Sequence, residues 1–555
     1  MDTNLSEGNL VIITRKERIQ RFIKVYRKLI TFIITPFIWI PILCLGDDNA
    51  YISFYVFLVN GTYLVANIFH PGVTSLIPIT IFTILDALGR PVIYTININN
   101  SVLDCLGVMM IVIAIEYSNI HKRIALKLLL TFGCSHFRLS FLMFAISMML
   151  SMWCTDTMTC GIMMPIMKAV LGELERMGVL EIFEPHKLGD SSRYDVVEAK
   201  PSDFTIFYFL GIAYSSSIGG VSTFIGSESN KLFKNYCSTV FPKSPNLEAP
   251  HFTLLTLPGV LLMEICLYLW LNFYFLGMMR VQNYSSLQAS LTSEEQQYVG
   301  TLLEAQYTRL GRISLHEMIV GSFVILTAIL QASINLTDLV VDRETLKINS
   351  YMHSPSIICA ALFFITPVNL DFIKNFRHNG NIIRVNAIKN CLSWPLIRKN
   401  IHWSALFITA SNNVIFEAMT YTKMNDKFVK FLWMCHDLPA PALAFIVILF
   451  CKIMTEFANN ADVATCLLPC IANLSILTKI NPRYLMIGAT LTISLPFHLL
   501  PASPAYAMVA AYAGIPPSKM MIAGIGPSVA AILINLFTTT VWSKVIWPDV
   551  DTYPD

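Results

Sequence analysis

Long apolar runs alternate along this chain with short polar stretches, and the alternation predicts an all-α polytopic membrane protein. About eleven runs read as transmembrane helices: Leu29–Leu45, Tyr51–Phe69, Val73–Leu88, Val102–Tyr117, one beginning at Phe204, Leu254–Met278, Met318–Leu336, Ser356–Leu370, Trp403–Met419, Tyr484–Leu499 and Met520–Trp542. Two further places break the pattern in the same way. Leu139–Trp153 and Ile162–Leu171 are arms shorter than the ~17–25 residues of a spanning helix, and Thr155, Asp156, Thr157 and Thr159 lie between them. The arm Ala442–Ile453 leads likewise into Thr455–Pro469, and a gapless overlay sets Ser151 on Thr455, Asp156 on Asn460 and Pro165 on Pro469.

Short apolar arms around a polar tip predict two re-entrant hairpins, 139–171 and 442–477. Irregular backbone at membrane depth must be buried in protein or line a wet cavity. Counting spans from the N-terminus, the first hairpin enters from the cytoplasm and the second from outside, as an inverted repeat requires. Each hairpin is followed by a predicted broken helix. In 204–240 the break falls at Tyr214–Gly226, where Gly219 and Gly220 stand among hydroxyls; the alternative is a small-residue helix-packing face. In 484–512 the break is Leu500-Pro-Ala-Ser-Pro-Ala-Tyr506, with two prolines.

Composition agrees with a membrane protein: 55% of the 555 residues are hydrophobic, 14% are charged, and the mean hydropathy is +0.59. Soluble domains carry about 25% charged residues. A net charge of +3 is too small to suggest nucleic acid, but the basic residues are placed asymmetrically. Seven Lys and Arg between Arg15 and Lys28, and six between Lys374 and Lys399, put both stretches in the cytoplasm. The expected organisation is a basic N-terminus without a cleavable signal (1–28), a first half (29–279), a cytoplasmic linker (280–315), a second half (316–542) and an extracellular acidic tail (543–555). Interfacial helices are expected at His121–Leu130 inside and Asp426–Cys435 outside. Asn99 begins an external glycosylation sequon, whereas the one at Asn283 is cytoplasmic on this topology.

Catalytic chemistry has little support. The 13 cysteines are scattered, and Cys466/Cys470 and Cys154/Cys160 read as small packed groups rather than metal ligands. His121 and His498 are isolated and read as interfacial or packed. Glu228 and Lys231 read as a local helix pair; Asp462 reads as a solvated tip residue.

Ile113-Ala-Ile-Glu-Tyr-Ser-Asn-Ile-His-Lys-Arg-Ile-Ala-Leu126, Leu150-Ser-Met-Trp153, Ser217-Ile-Gly-Gly220 and Thr455-Glu-Phe457 closely resemble the divalent anion:sodium symporters, the sodium/carboxylate cotransporters. The similarity runs from about residue 30 to 545. It implies a plasma-membrane homodimer in which each protomer has a scaffold domain and a transport domain that carries the hairpins and moves like an elevator. The implied substrate is a di- or tricarboxylate of the succinate or citrate class, with sodium as coupling ion and no other cofactor. The family's two tips each bear Ser-Asn-Thr; here they read Thr155-Asp156-Thr157 and Asn459-Asn460-Ala461. By the resemblance these six residues and Ser503 meet the substrate. Ser151, Thr155, Asp156, Gly219 and Gly220 hold one sodium, and Thr455, Ala458, Asn460 and the backbone at Ala502 and Ser503 hold a second.

Asp156 is the sharpest departure, because an ionised carboxylate only accepts hydrogen bonds and repels a nearby substrate carboxylate by several kcal/mol if poorly screened. It can hold its proton and donate, ligate a cation directly, or signal a different substrate. Two alternatives therefore stand beside the sodium-driven carrier: a sodium-independent or proton-linked organic-anion carrier, and a carrier-like binding or sensor protein that does not transport.

Overall fold

The computed structural model describes residues 15–46, 48–85, 100–178, 180–183, 200–240, 247–277, 293–340, 354–368 and 389–553. Its regular elements are helices. In the first half these are α1 (Arg15–Leu43), α2 (Asn49–Ala66), α3 (Pro71–Thr74), α4 (Leu76–Leu85), α5 (Asn100–Ser118), α6 (Ile120–Phe132), α7 (His136–Ser151), α8 (Asp156–Arg176), α9 (Asp203–Val221), α10 (Glu228–Val240) and α11 (Ala249–Leu276). After α12 (Ser293–Arg309) come α13 (Leu315–Val340), α14 (Pro355–Ile365), α15 (Trp394–Asn400), α16 (Trp403–Tyr421), α17 (Met424–Trp433), α18 (Ala440–Thr455), α19 (Asn460–Thr478), α20 (Pro482–Ile493), α21 (Pro504–Ala513), α22 (Pro517–Ala523), α23 (Ile525–Phe537) and α24 (Ser543–Ile546).

Seven helices among the described residues are long and apolar enough to cross a membrane. Their faces differ in a way that orders the bundle. Only 6% of the apolar part of α1 is buried, whereas 94% of α9 is, so α9 is the central helix and α1 is peripheral. Helices α11, α13 and α23 expose whole apolar rows, among them Leu261, Ile265 and Leu269, Ile325 and Ile329, and Val529 and Leu533. Such stripes are what a lipid-facing helix presents.

Glycines let α9 approach its neighbours. A Cβ on Gly211 would stand 1.8 Å from the Phe144 ring, and one on Gly219 would stand 2.1 Å from the Met148 carbonyl oxygen. Gly219 and Gly220 therefore do not break the helix as expected. Regular α9 continues through them to Val221, and the chain unwinds over 222–227. The freed carbonyls of Gly220, Val221 and Thr223 accept from Asn230 Nδ2 at 3.4, 3.2 and 2.8 Å.

The second unwound stretch begins earlier than the expected Leu500–Tyr506 break, at Ser494 just before Pro496, and runs to Ser503 with one 3₁₀ turn at Leu500–Ala502. Buried backbone needs partners, and this one takes them from several helices. Glu456 accepts from the Phe497 and His498 N–H groups, Tyr506 Oη donates to Pro496 O at 2.7 Å, and Asn412 Nδ2 donates to Pro501 O at 2.9 Å. Tyr214 Oη donates to Phe497 O at 2.7 Å, tying α9 to the second break.

The helix–break–helix units lie where the two tips were expected, with one difference. The first arms, α7 and α18, have 16 residues each, but the second arms, α8 and α19, have 21 and 19. Apolar packing sustains α8 past Leu171, with Glu173 and Leu174 still buried. The linker is not featureless: α12 lies within it, and its end docks on α6 through Arg123. That guanidinium bonds Glu317 Oε2 at 3.1 Å and Gly311 O at 2.9 Å. Helices α6 and α17 match the two expected interfacial helices in extent. Both sequon asparagines, Asn99 and Asn283, lie outside the described residues, as do most of the basic loop after α14 and the residues before Arg15.

Candidate functional site

The first residues of four helices line one cavity of about 110 Å³: Asp156 of α8, Glu228 of α10, Asn460 of α19 and Pro504 of α21. Each helix starts here because the preceding chain is unwound, so its unpaired N–H groups and the positive end of its dipole turn toward the cavity. Two starts are capped by their own side chains: Thr155 Oγ1 accepts from Met158 N at 3.3 Å and Ser503 Oγ from Ala505 N at 3.2 Å. Convergent helix N-termini are a ready-made site for an anion.

Both tips reach this cavity. Thr155, Asp156, Thr157, Asn459, Asn460 and Ala461 line it together with Gly220. Ser503 stands just behind and donates to Asp156 Oδ2 at 2.7 Å, while Thr157 N donates to Asp156 Oδ1 at 2.8 Å. Ser151, Gly219, Thr455, Ala458 and Ala502 are not in the lining; they are buried behind it.

Two groups of oxygens lie behind the wall. Ser151 is fully buried, and its Oγ takes no hydrogen bond among the described residues. The carbonyl oxygens of Ser151 and Gly220 both stand 2.7 Å from where a Cβ on Gly226 would be. On the other side, Thr455 Oγ1 donates to Ile493 O at 2.6 Å. One end of the Asn460 amide sits 3.1 Å from Ile493 O and 3.3 Å from Ala502 O. With nitrogen at that end the amide donates to both carbonyls; with oxygen there, the cluster is the all-oxygen surround that a hard cation prefers. The first group is thus all oxygen, and the second is so only with the amide oxygen turned to the carbonyls.

Several lining residues were not singled out from the sequence. Gln331 Nε2 of α13 donates to Thr155 Oγ1 at 3.0 Å, and Asn459 Nδ2 donates to Ser101 Oγ of α5 at 3.1 Å. Asp104 lines the cavity and accepts from Ser356 at 2.6 Å. Asp104 carries a legible signal as an acid inside an apolar run, whereas Gln331 shares its run with Ser322, Thr327, Ser333 and Asn335. Glu228 and Lys231 both line the cavity, a placement that the helix-pair reading did not anticipate. Asp462 is a correction: it is not a solvated tip residue. Packing of α19 against α16 buries it to 9% exposure in the wall of an adjoining cavity of about 460 Å³, with Glu417.

The remaining candidates are packing groups. Cys466 Sγ donates to Asn425 Oδ1 at 3.0 Å, and Cys160 Sγ pairs with Ser216 Oγ at 3.2 Å. His121 Nδ1 bonds the Ile115 carbonyl at 2.9 Å and His498 Nδ1 that of Met521 at 2.8 Å.

A lipid-faced helical bundle with a small polar cavity at converging helix ends is the architecture of a membrane transport protein. The chain belongs to the citrate transporter family, whose profile matches residues 55–492, well over half of its length. It is 28% identical to the Drosophila melanogaster protein I'm not dead yet, over 96% of this chain and 91% of that one. It is 24% identical to the mouse Na(+)/citrate cotransporter (96% and 97%) and 23% identical to rabbit solute carrier family 13 member 2 (95% of each). The family is one of transporters, so the chain is a carrier rather than an enzyme.

Proposed function

We propose that this protein is a sodium-coupled secondary transporter of small carboxylates in the plasma membrane. The observation that carries the reading is the meeting of Thr155–Thr157 and Asn459–Ala461 in one cavity, backed on each side by a cluster of oxygens suited to a cation. In this reading 139–171 and 442–477 are re-entrant hairpins of an inverted repeat with about eleven spans. They belong to a transport domain that rides on a scaffold like an elevator, within a homodimer whose N-termini are cytoplasmic and C-termini extracellular. Thr155, Asp156, Thr157, Asn459, Asn460, Ala461 and Ser503 hold the substrate. Ser151, Thr155, Asp156, Gly219 and Gly220 hold one sodium; Thr455, Ala458, Asn460 and Ala502 hold the other. What supports this is family membership and the polar contacts described above. Relatives include sodium/citrate cotransporters, and the succinate and citrate class is accordingly the first to test.

The work of the residues follows from their chemistry. Helix N-termini α8 and α19 attract a carboxylate, and Thr155, Thr157 and Asn459 supply side-chain donors for it. Cation sites behind the same tips couple to that binding, because a bound positive charge a few ångströms away favours the anion. One observation favours a second, proton-linked reading: a carboxylate, Asp156, lines the cavity at the first tip, where the family resemblance implies an amide. Uptake of labelled succinate and citrate by expressing cells, with sodium replaced by choline, tests the proposal. Sodium-dependent uptake supports it; uptake indifferent to sodium but rising in acid, and losing that rise in Asp156→Asn, supports the second reading. No uptake of either by protein shown at the surface would leave the alternatives of a different substrate and of a protein that does not transport.

A further inference from the structure

A second cavity, of about 240 Å³, lies among helices that also wall the first. Near their starts, α5, α8 and α21 line the tip cavity with Asp104, Asp156 and Pro504; further along they line the second with Val112, Met164 and Met508. The two cavities share no described lining residue. Between them Val108 of α5 and Gly161 of α8, both buried, meet closely: a Cβ on Gly161 would stand 2.3 Å from Val108 Cγ1. Close-packed side chains leave no passage, so the cavities can join only if α5 parts from α8.

A polar cluster at the wall of the second cavity opposes that movement. Glu116, near the end of α5, accepts on Oε1 from Lys168 Nζ of α8 at 2.9 Å and from Tyr512 Oη of α21 at 2.6 Å. Lys168 Nζ also lies 4.8 Å from the centre of the Tyr512 ring, a cation–π contact. The two bonds to Glu116 are unequal. The Lys168 side chain is 60% exposed, and an ion pair open to solvent contributes little. The part-buried Tyr512 hydroxyl, donating to a charged acceptor, contributes more. At its other end α5 reaches the second tip, where Ser101 Oγ accepts from Asn459. One helix therefore grips α8, α21 and the second tip by polar contacts at both its ends and by close packing between.

We propose that Glu116 is a latch. With Lys168 and Tyr512 it holds α8 and α21 against α5 in the conformation described, and its release lets these helices part so that the second cavity joins the tip cavity. The inference rests on the carrier reading above, in which the site opens to each side of the membrane in turn. It adds the contact that keeps this end shut in one of the two forms. Glu116 meets no substrate; it is a positioning residue that acts through α8 and α21.

The full-length protein in lipid nanodiscs is treated with a water-soluble thiol reagent, which there reaches both faces, and labelling is read peptide by peptide. Met508→Cys, at a position 1% exposed, reports on the second cavity. The native Cys359 and Cys451, buried in α14 and α18 and lining neither cavity, report on loosening of the fold at large. Tyr512→Phe keeps the ring beside Lys168 and removes only the hydroxyl. It should speed Met508→Cys labelling about tenfold, the scale of one lost charge-assisted hydrogen bond, with Cys359 and Cys451 unchanged. Glu116→Ala should speed it at least as much. Adding Tyr512→Phe to Glu116→Ala should speed it no further, because the hydroxyl acts through Glu116. Unchanged labelling at Met508→Cys, equal speeding at the two buried cysteines, or additive effects of the two substitutions overturn the latch. Uptake of labelled succinate and citrate by the parent protein, measured alongside, separates the two claims. If uptake is present while the labelling fails, the latch alone falls; if both fail, the carrier reading for these carboxylates falls with it.

Discussion

Lys452 and Glu456 form a buried ion pair one helical turn apart at the end of α18, Nζ to Oε1 2.7 Å, with side chains 5% and 9% exposed. Neither charge is there for solubility. Glu456 receives the N–H groups of Phe497 (3.2 Å) and His498 (2.8 Å), and Lys452 donates to the Leu495 carbonyl, so the pair holds the unwound backbone opposite the second tip. Lys452→Met keeps the side chain's length and strands a buried carboxylate; breaking such a pair costs about 3–5 kcal/mol. That is a large share of a typical total stability of about 5–15 kcal/mol. Removing both charges in Lys452→Met/Glu456→Gln leaves a neutral amide whose oxygen can still accept from His498 N. The double variant should recover most of the loss, and the coupling energy of the cycle should be about 2–3 kcal/mol. The assay is unfolding of the purified protein in micelles titrated with a denaturing detergent, read for all four proteins. A Lys452→Met protein as stable as the parent, or a double variant no more stable than Lys452→Met, would refute the reasoning.

Other consequences are local. Gly219→Ala puts a Cβ against the Met148 carbonyl at 2.1 Å, which α9 can relieve only by moving off α7; folded yield and unfolding midpoint should both drop, by the equivalent of about 1–3 kcal/mol for an overpacked contact. Arg123→Gln removes a side chain that ties α6 both to Glu317 at the start of α13 and to the Gly311 carbonyl after α12. It should make the 293–314 region more accessible to protease while the cavity's ligand affinity stays unchanged. Thr455→Val preserves shape but loses the hydroxyl beside Asn460 and Ile493 O, so half-saturating sodium should rise severalfold or more in uptake assays, with surface expression unaltered.

Much of the bundle was legible because membrane helices announce themselves by length and hydropathy, and the two polar tips stood out against apolar arms. What the pattern could not reveal was where helices end. Gly219 and Gly220 look like breakers, yet their missing side chains make room for the Met148 backbone of α7 and for Gly226, and the helix continues to Val221. The second break begins at Ser494, two residues before Pro496 and earlier than the Pro501–Pro504 stretch, and Glu456 and Lys452, remote in sequence, satisfy its backbone. Long-range partners of this kind leave no periodic trace. Site residues divide in the same way. Those on the tips were visible as polar groups in short repeats, whereas Asp104 was one acid in an apolar run and Gln331 one of several polar residues in its own. Asp462 was misjudged because a tip was assumed to face water; only the packing of α19 on α16 decides that it is buried.

The central claim is that the two tips and the cation clusters behind them act as one coupled site. The most direct measurement is uptake by the purified protein in proteoliposomes, supplied with whichever carboxylate-bearing substrate it accepts, with sodium outside only, on both sides, or replaced by choline. Concentrative uptake that requires the inward sodium gradient, vanishes when the gradient is collapsed, and needs severalfold more sodium in Thr455→Val is the predicted result. Equal uptake in all three conditions would contradict the account.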